Sequence, residues 1–330
     1  MSEVTIVIPN YNGLHFLKPC LESLTAQIYR DFEVLVVDNG STDGSPEWLR
    51  QEKVPALLLK TNTGFSGAVN AGIRAAASPF VILLNNDTEA DPRYVGELVR
   101  AISRSDRIFA VSSKMLQLSH KNLMDDAGDM YSLMGWAYQR GVGRSARLYN
   151  RERNVFSACA GAAIYRRSVF EEIGYFDEQH FAYLEDIDIC FRAKLYGYVN
   201  RYCPTARVCH VGSGTSGSRY NSFKVRLAAR NQIWLNYKNM PGWQLALNAL
   251  PLALGMLVKY AFFKKLGFQK DYLQGIREGF AGCGKLRRVP DLAFRTACSV
   301  QVEKEMIAGT FLYIYEFTCR QLIKIKRNLM

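Results

Sequence analysis

The 330-residue sequence lacks paired cysteines, a long uninterrupted apolar run and the glycine-rich loop of dinucleotide-binding enzymes. Its eight cysteines are scattered and form no Cys-x-x-Cys pair, which favours reduced thiols over a zinc site or a disulfide framework. Gly64, Gly67 and Gly72 do not make a G-x-G-x-x-G motif after a first strand, which argues against a nicotinamide-dependent oxidoreductase. No basic and then apolar leader precedes Val4, so we expect the catalytic part to face the cytoplasm.

Acidic residues are scarce in the last third of the chain. From Ser216 onward there are 19 Lys or Arg against 6 Asp or Glu, a net charge of +13, whereas residues 1–215 carry a net charge of −1. Charge alone fits nucleic acid, phospholipid head groups or acidic partners. The basic region contains no recognisable nucleic-acid-reading motif. We therefore expect an inner membrane surface as its partner, and no nucleic acid.

Short apolar strands alternate with helical stretches over residues 1–215. The predicted strands are Val4–Ile8, Glu33–Val37, Ala56–Lys60 and Phe80–Leu84. Helices are predicted by the leucine spacing from Leu14 to Leu24 and by the stretch Gly67–Ala77. This alternation predicts an α/β domain with a mixed, mainly parallel sheet covered by helices. In such sheets ligands bind beyond the carboxyl ends of the strands.

Residues 216–330 are predicted to form a helical, basic and amphipathic extension. Its most apolar stretch, Trp243–Phe263, is interrupted by Asn248 and Pro251. A helix that spans a membrane needs roughly 20 mostly apolar residues, so this stretch is borderline. An interfacial or re-entrant helix fits it at least as well as a spanning helix does. A second apolar stretch, Met306–Phe317, precedes further basic residues, which suit an anionic leaflet. The alternative is a helical cap on the sheet domain with a solvated basic face.

Two polar clusters follow the first two predicted strands. The first is Pro9-Asn10-Tyr11-Asn12, and the second begins at Asp38 and continues through Gly40, Ser41 and Asp43. A carboxylate at a strand end can accept a hydrogen bond from a pyrimidine imide, and Tyr11 offers a ring for stacking on the base. The alternative is that both clusters are simple turns, because Asn, Asp, Gly and Ser are common turn residues.

Two further clusters contain carboxylates. Asp87, in Asn85-Asn86-Asp87-Thr88, follows a strongly apolar strand and suits a Mg²⁺ or Mn²⁺ ion that is also held by diphosphate oxygens. A helix N-cap is the alternative for that cluster. In the segment Glu185–Arg192, three carboxylates packed closely raise the pKa of at least one of them, which suits a general base. A solvated acidic helix start is the alternative there.

Together with the segment Asn62–Gly72, these motifs resemble the family 2 inverting glycosyltransferases of GT-A fold. Within that family the sequence is similar to the bacterial rhamnosyltransferase-like branch, which builds cell-surface polysaccharides. The resemblance covers roughly the first two thirds of the chain. It implies nucleotide and donor-sugar contacts, listed in chain order as Pro9, Tyr11, Asn12, Asp38, Asn62, Gly67, Asn70 and Asn86.

The resemblance also implies Asp186 as the catalytic base, with Glu185 beside it, and Asp87 with His210 as ligands of a divalent cation, Mg²⁺ or Mn²⁺. Asn85 stands where the family's D-x-D motif begins with an acid. The Q-x-x-R-W motif of processive relatives is absent, which favours transfer of a single sugar. Arg226 and Arg230 are candidates for diphosphate contact.

The implied reaction is transfer of one sugar, with inversion, from a nucleotide-diphosphate sugar to a lipid-linked or polysaccharide acceptor at the cytoplasmic face of the membrane. The favoured donor is dTDP-rhamnose, with UDP-sugars and GDP-mannose as alternatives. A catalytically silent nucleotide-sugar or lipid-binding module is a second interpretation. A sugar nucleotidyltransferase would need a glycine-rich loop where Pro9–Asn12 stands.

Overall fold

A computed structural model describes residues 2–212, 220–289 and 295–328. The predicted boundary between residues 215 and 216 lies outside this part of the chain, and so stays a prediction. The strands are β1 (Val4–Asn10), β2 (Phe32–Asp38), β3 (Ala56–Leu58), β4 (Phe80–Leu84), β5 (Thr88–Ala90), β6 (Ile108–Gln117), β7 (His120–Asp126), β8 (Asp129–Tyr131), β9 (Ala137–Gln139), β10 (Arg153–Val155), β11 (Ala162–Arg166) and β12 (Val199–His210).

Helices cover the sheet and form most of the described chain after residue 220. They are α1 (Leu14–Thr25), α2 (Ser45–Gln51), α3 (Gly64–Ala75), α4 (Tyr94–Ile102), α5 (Arg167–Ile173), α6 (Glu185–Leu195), α7 (Ser222–Asn239), α8 (Gly242–Leu247), α9 (Ala249–Lys265), α10 (Gln269–Gly282) and α11 (Arg295–Asn328). Short 3₁₀ turns lie at Ala146–Leu148, Glu178–His180 and Cys283–Lys285.

Ten strands form one mixed sheet in the order β10-β12-β6-β11-β4-β1-β2-β3, with β5 beside β12 and β7 beside β6. Strands β1 to β4 run parallel, whereas β11 is antiparallel to both β4 and β6. The apolar strands β1 and β4 are buried almost throughout, as expected for a sheet covered on both faces. The predicted sheet, its first four strands and both predicted helices are confirmed.

The sheet topology brings the polar clusters to one edge. Asn10 and Asp38 are register partners at the ends of β1 and β2. Strand β4 lies on the other side of β1 and ends at Leu84, directly before the Asn85–Thr88 cluster. Because parallel strands end at the same edge, three segments that are distant in sequence meet there.

The C-terminal helices pack on the sheet domain and share a core with it. Tyr131, Phe156 and Phe191 from the first part of the chain are buried together with Leu235 and Met306. Helix α11 also contacts α6 and β8. Helices α7 to α11 thus form a C-terminal cap whose packing is continuous with that of the sheet domain.

The predicted apolar stretch Trp243–Phe263 is divided between α8 and α9, which meet at Asn248. The Asn248 amide donates to the Gln244 carbonyl and to the Glu303 carboxylate, so this break is fixed by buried polar contacts. Within the described residues, no helix combines the length and the apolar character that crossing a bilayer requires.

Candidate active site

Three buried polar side chains form a hydrogen-bonded row across the ends of β4, β1 and β2. The Asn86 amide donates to Oδ1 of Asn10 at 2.7 Å, and the Asn10 amide donates to Oδ2 of Asp38 at 2.9 Å. The register of the parallel strands β1 and β2 places Asn10 and Asp38 side by side. Asn10 was not among the predicted site residues, although its position between two predicted ones indicates its importance.

The predicted base pocket lies around this row. The backbone N–H of Ser41 donates to the second oxygen of Asp38 at 3.0 Å, so both oxygens already have one donor. Because a carboxylate oxygen can accept two hydrogen bonds, Asp38 retains capacity for a ligand. Pro9 is half-buried, and Tyr11 is 38% exposed, which leaves its ring accessible. Asn12 is exposed and accepts a hydrogen bond from the Thr42 backbone at 2.7 Å.

Asn39 organises the neighbouring segment and was missed by the sequence reasoning. Its amide donates to Oδ1 of Asn62 and to the Gly64 carbonyl, both at 3.0 Å, and its own oxygen accepts from the Thr63 backbone at 2.9 Å. Asn62 also accepts from the Gly64 N–H at 2.9 Å. Asn62 is exposed at the start of α3, where a ligand can reach it.

Gly67 and Asn70, both on α3, are buried. A Cβ at Gly67 would lie 2.5 Å from Oγ1 of Thr63, so close packing accounts for this glycine. The Asn70 amide donates to the Phe176 carbonyl at 2.8 Å and to the Glu178 carboxylate at 2.9 Å. These contacts are with protein, and donor binding by either residue stays a prediction.

Asp87 and His210, the two predicted metal ligands, lie together. Nε2 of His210 is 3.2 Å from Oδ1 of Asp87, and Nδ1 of His210 is 2.7 Å from Oδ2 of Asp125. Burial disfavours protonation of His210, but the hydrogen bonds and charges of Asp125 and Asp87 raise its pKa to about 10. Without a metal, the ring therefore holds a proton between the two carboxylates, and a cation that bound at Nε2 would have to displace that proton. Asp125 had not been predicted as part of the site.

This donor set fits a divalent cation. One carboxylate orients the imidazole through Nδ1, while Nε2 and a second carboxylate face each other, which is a frequent arrangement around protein-bound metals. Oxygen and imidazole donors suit Mn²⁺ and Mg²⁺. A different group, Asp126, Asp129 and Cys159, brings three donor atoms within 4.8 Å of one another in the described chain.

The predicted catalytic pair starts α6. Glu185 is buried, and one of its carboxylate oxygens has no hydrogen-bond partner in the described structure. Burial, followed by the charges of Asp186 and Asp188, raises the pKa of Glu185 to about 8. Asp186 is partly exposed. Burial raises the pKa of Asp186, while the backbone N–H groups of Ile187 and Ala160 oppose the rise.

Asp188 belongs to a buried ionic network on the other side of α6. It pairs with Arg192 at 3.0 Å and with Lys238 at 3.1 Å, and it accepts from the Asn239 amide at 2.8 Å. Although burial opposes ionisation, these cations hold the pKa of Asp188 far below its usual range. The alternative of a solvated acidic helix start is therefore wrong. Lys238 and Asn239 come from α7, so the C-terminal cap neutralises this helix.

The loop that leads into α6 has an unusual backbone. Phe181, Tyr183 and Leu184 have φ values of 64°, 71° and 68°. Such conformations cost about 1–3 kcal/mol for each non-glycine residue and persist only where surrounding contacts impose them. Gly64 permits a close approach to this loop, since a Cβ there would lie 2.4 Å from the Phe181 carbonyl oxygen. The loop thus connects the start of α3 with the predicted catalytic pair, Glu185 and Asp186.

Helix α7 holds this loop from the opposite side. The Asn231 amide donates to three loop carbonyls at 2.8–3.0 Å, those of His180, Ala182 and Tyr183. Arg230 donates to the Gln179 and His180 carbonyls and stacks on Trp234. Arg226 pairs with Glu278. Both arginines thus have protein partners, and their proposed contact with diphosphate finds no support in this geometry.

Residues 157–161 connect the two halves of the site. The Asn85 N–H donates to the Gly161 carbonyl at 2.8 Å, and the Ala160 N–H donates to the Asp186 carboxylate. The Ser157 hydroxyl donates to the Asp186 carbonyl at 3.0 Å. One short segment of small residues therefore sets the position of the predicted base relative to the strand end that precedes Asp87, the predicted cation ligand.

Comparison with known proteins agrees with this geometry. The sequence profile of the family described as "Glycosyl transferase family 2" matches residues 5–174, which is just over half of the chain. A similar protein from Mycobacterium tuberculosis, "N-acetylglucosaminyl-diphospho-decaprenol L-rhamnosyltransferase", is 29% identical over 262 residues, covering 69% of this chain and 85% of that protein.

Two further similarities extend beyond the matched segment. The "Low-salt glycan biosynthesis hexosyltransferase Agl10" of Haloferax volcanii is 25% identical over 84% of this chain and 91% of its own length. The crystal structure of GalNAc-T7 with UDP, GalNAc and Mn²⁺ superimposes with a TM-score of 0.60 at 17% identity, over 72% of this chain and 48% of that chain. The shared fold confirms the predicted GT-A class.

Proposed function

Because this chain belongs to glycosyl transferase family 2, we propose that it transfers one sugar, with inversion, from a nucleotide-diphosphate sugar to a lipid-linked acceptor at a membrane surface. The observation that carries the proposal is the bridge formed by residues 157–161. It joins the strand end that bears Asp87 to the helix start that bears Asp186. A cation-binding carboxylate and a base held by one rigid segment suit displacement at an anomeric carbon.

Asp186 is the group proposed to accept the proton of the acceptor hydroxyl as that hydroxyl attacks. It is the more exposed member of the pair, and two backbone N–H groups stabilise its charged form. Glu185, with a pKa of about 8, is mostly neutral at pH 7 and does not compete for that proton. Within this pair, the negative charge is thus carried mainly by Asp186.

Asp87 and His210 would hold the divalent cation, with Asp125 orienting the imidazole. When bound, such a cation neutralises charge on the leaving diphosphate. Mn²⁺ accompanies UDP in the similar GalNAc-T7 structure, which supports a cation of this kind here.

The row Asn86–Asn10–Asp38 and the accessible ring of Tyr11 are the proposed base site. We favour dTDP-rhamnose as donor, because the similar mycobacterial protein is named as an L-rhamnosyltransferase. UDP-sugars and GDP-mannose are the competing donors. The same relative is named for a decaprenol-linked substrate, which supports a lipid-linked acceptor.

Contact with the membrane would use the outer surface of α9. Leu250, Leu254 and Leu257 are 79%, 51% and 64% exposed, and their spacing places them on one face of the helix. Lys264 and Lys265 end the same helix. An exposed apolar face followed by basic residues suits insertion at an anionic lipid surface.

A donor screen tests the proposal directly. The purified chain is incubated with dTDP-rhamnose, UDP-glucose, UDP-N-acetylglucosamine and GDP-mannose, with and without Mn²⁺, and thermal stabilisation and nucleoside-diphosphate release are measured. A ligand at 100 times its dissociation constant should add about 2.7 kcal/mol to the free energy of unfolding. Metal-dependent stabilisation by dTDP-rhamnose alone would support both reaction and donor. Stabilisation by none of the donors would contradict the proposal.

A further inference from the structure

A cavity of about 460 Å³ lies outside the site described above. Strands β6, β7 and β12 and residues 145–150 line it. Four of its lining residues are basic, Lys114, Lys121, Arg147 and Arg207, and the others are uncharged. Arg207 precedes His210 by three positions on β12, so the two side chains point to opposite faces of the sheet. The cavity is thus separate from the predicted cation site.

Lys114 carries a positive charge into the wall of this cavity. The residue is only 3% exposed, and its Nζ donates to the Ala146 carbonyl at 2.8 Å and to Oδ1 of Asn150 at 2.6 Å. Both acceptors are neutral. Burial, followed by the charge of Arg207, lowers the pKa of Lys114. The ammonium group is therefore hydrogen-bonded, but its charge is not compensated.

The other basic residues of the cavity also have little compensation from acidic side chains. Within the described chain, Lys114, Arg147 and Arg207 lie within salt-bridge distance of no acid. Lys121 is 3.7 Å from Glu89, and both of these side chains are substantially exposed. An anion in the cavity would offset the repulsion among these four cations.

We propose that this cavity binds a ligand bearing a phosphate or diphosphate group. Guanidinium groups match phosphate oxygens in paired hydrogen bonds, and lysine ammonium groups add point charges. The volume exceeds that of a single phosphate, and Asn122 and Ser145 offer polar contacts for the remainder of the ligand. The phosphate belongs either to a soluble phosphorylated saccharide or to a lipid head group. This inference does not depend on the transfer reaction.

The test uses inorganic pyrophosphate as the probe, measured by titration calorimetry in EDTA so that binding at the predicted cation site is excluded. The variant Arg147→Gln/Arg207→Gln is compared with the control Arg50→Gln/Arg93→Gln, which removes the same charge from exposed positions elsewhere. Because all four side chains are exposed, both variants should melt like the parent chain. We expect affinity to fall by about tenfold per arginine in the cavity variant and to stay unchanged in the control.

A second arm distinguishes the sources of phosphate. Co-sedimentation is measured with vesicles of phosphatidylcholine containing phosphatidylglycerol. Helix α9 is unchanged in both variants, so any vesicle binding through it is common to them. Vesicle binding that is weaker in the cavity variant than in the control identifies a lipid head group, whereas equal vesicle binding together with weakened pyrophosphate binding identifies a soluble phosphorylated ligand. Equal affinity of the parent chain and the cavity variant for pyrophosphate, or no binding by the parent chain, would overturn the inference. Neither result would bear on a donor response in the presence of Mn²⁺.

Discussion

Nε2 of His210 lies 3.2 Å from Oδ1 of Asp87, which joins the last residue of the longest strand to the loop after β4. Asp125 holds the other nitrogen of the ring, so the position of the imidazole is set by β7 as well. Strands β12 and β7 and the loop after β4 thus determine together how the potential metal ligands Asp87 and His210 are placed. The contribution of each element can be tested by a separate substitution.

Substitution of Asp125 or His210 should change how strongly donor binding depends on Mn²⁺, rather than which donor is bound. Because outer carboxylates orient metal-binding imidazoles, Asp125→Asn should raise the Mn²⁺ concentration required for half-maximal donor binding by about 10–100-fold. His210→Gln should raise it at least as much. The exposed control Asp106→Asn should leave the Mn²⁺ titration unchanged. An unaltered titration for His210→Gln would remove this residue from the cation site.

Asp186→Asn should reduce the transfer rate by about 10²–10⁴-fold, since a positioned general base typically contributes that much. The amide retains the shape of the carboxylate and can still accept a hydrogen bond from the Ala160 N–H, so donor binding should persist. Rate and donor dissociation constant are measured side by side. A variant that transfers sugar at the parent rate would show that another group takes the proton.

Glu185→Gln should preserve most of the activity at pH 7, because Glu185 is already largely protonated there. Its pKa rises from about 4.5 in the unfolded chain to about 8 in the folded one, so its ionisation destabilises the fold as pH increases through this range. The glutamine variant should therefore unfold at a higher temperature than the parent at pH 8.5, and at nearly the same temperature at pH 4.5. A loss of activity equal to that of Asp186→Asn would contradict this assignment.

Asn231→Ala should lower kcat while leaving the KM for the donor little changed. The substitution removes one hydrogen-bond donor from each of three loop carbonyls, although the His180 carbonyl keeps Arg230 as a second donor. Each hydrogen bond lost in this way costs about 0.5–1.5 kcal/mol. Asn231 acts here as a positioning residue, because it contacts the loop before Asp186 rather than the predicted ligands. Asn154→Ala, at an exposed strand position, is the control. A fall in stability with unchanged kcat would indicate a purely structural role.

His180→Phe should reduce the sensitivity of the fold to acid. His180 is fully buried, and neither ring nitrogen has a hydrogen-bond partner in the described structure. Burial is the main reason that its pKa falls to about 4, so the folded state binds no proton there while the unfolded chain does. Stability contributed by the neutral ring is present above pH 6.5 and is lost as pH falls towards 4, by about 3 kcal/mol in total.

Phenylalanine retains the stacking on Trp234 without the titration. Urea unfolding of both proteins at pH 7 and pH 4.5 measures the difference. Parallel losses of stability in the two proteins would rule out His180 as a source of the acid sensitivity.

The sequence was sufficient for the first four strands because each is a short apolar run, β-branched in three of the four, that is followed by polar or turn residues. It was also sufficient for placing Asp87 and His210 together, through the resemblance rather than through spacing. The contribution of Asp125 was not predictable in the same way, since an acidic residue in Asp125-Asp126 carries no local signal of its distant partner. Long-range pairings of this kind depend on strand register, which local patterns do not specify.

The backbone conformation of the loop before α6 could not be predicted from the sequence either. Phe181, Tyr183 and Leu184 are not residues that local preference places at positive φ. Asn231 on α7 holds this loop through hydrogen bonds to its carbonyls, and nothing in the sequence around Asn231 indicates that distant partner. Local preference fails here because tertiary hydrogen bonds outweigh it, as is common at functional sites.

The packing between α6 and the C-terminal cap limits how this protein can be recombined with its relatives. Lys238 and Asn239 supply counter-charge and a hydrogen bond to Asp188, so a chimera that exchanged only the cap would leave a buried carboxylate with Arg192 alone. The same exchange would expose Phe156 and Phe191 to water or to an unmatched surface. The C-terminal helices are therefore not a detachable module, and exchanging them requires the interface between α6 and α7 to be transferred as a unit.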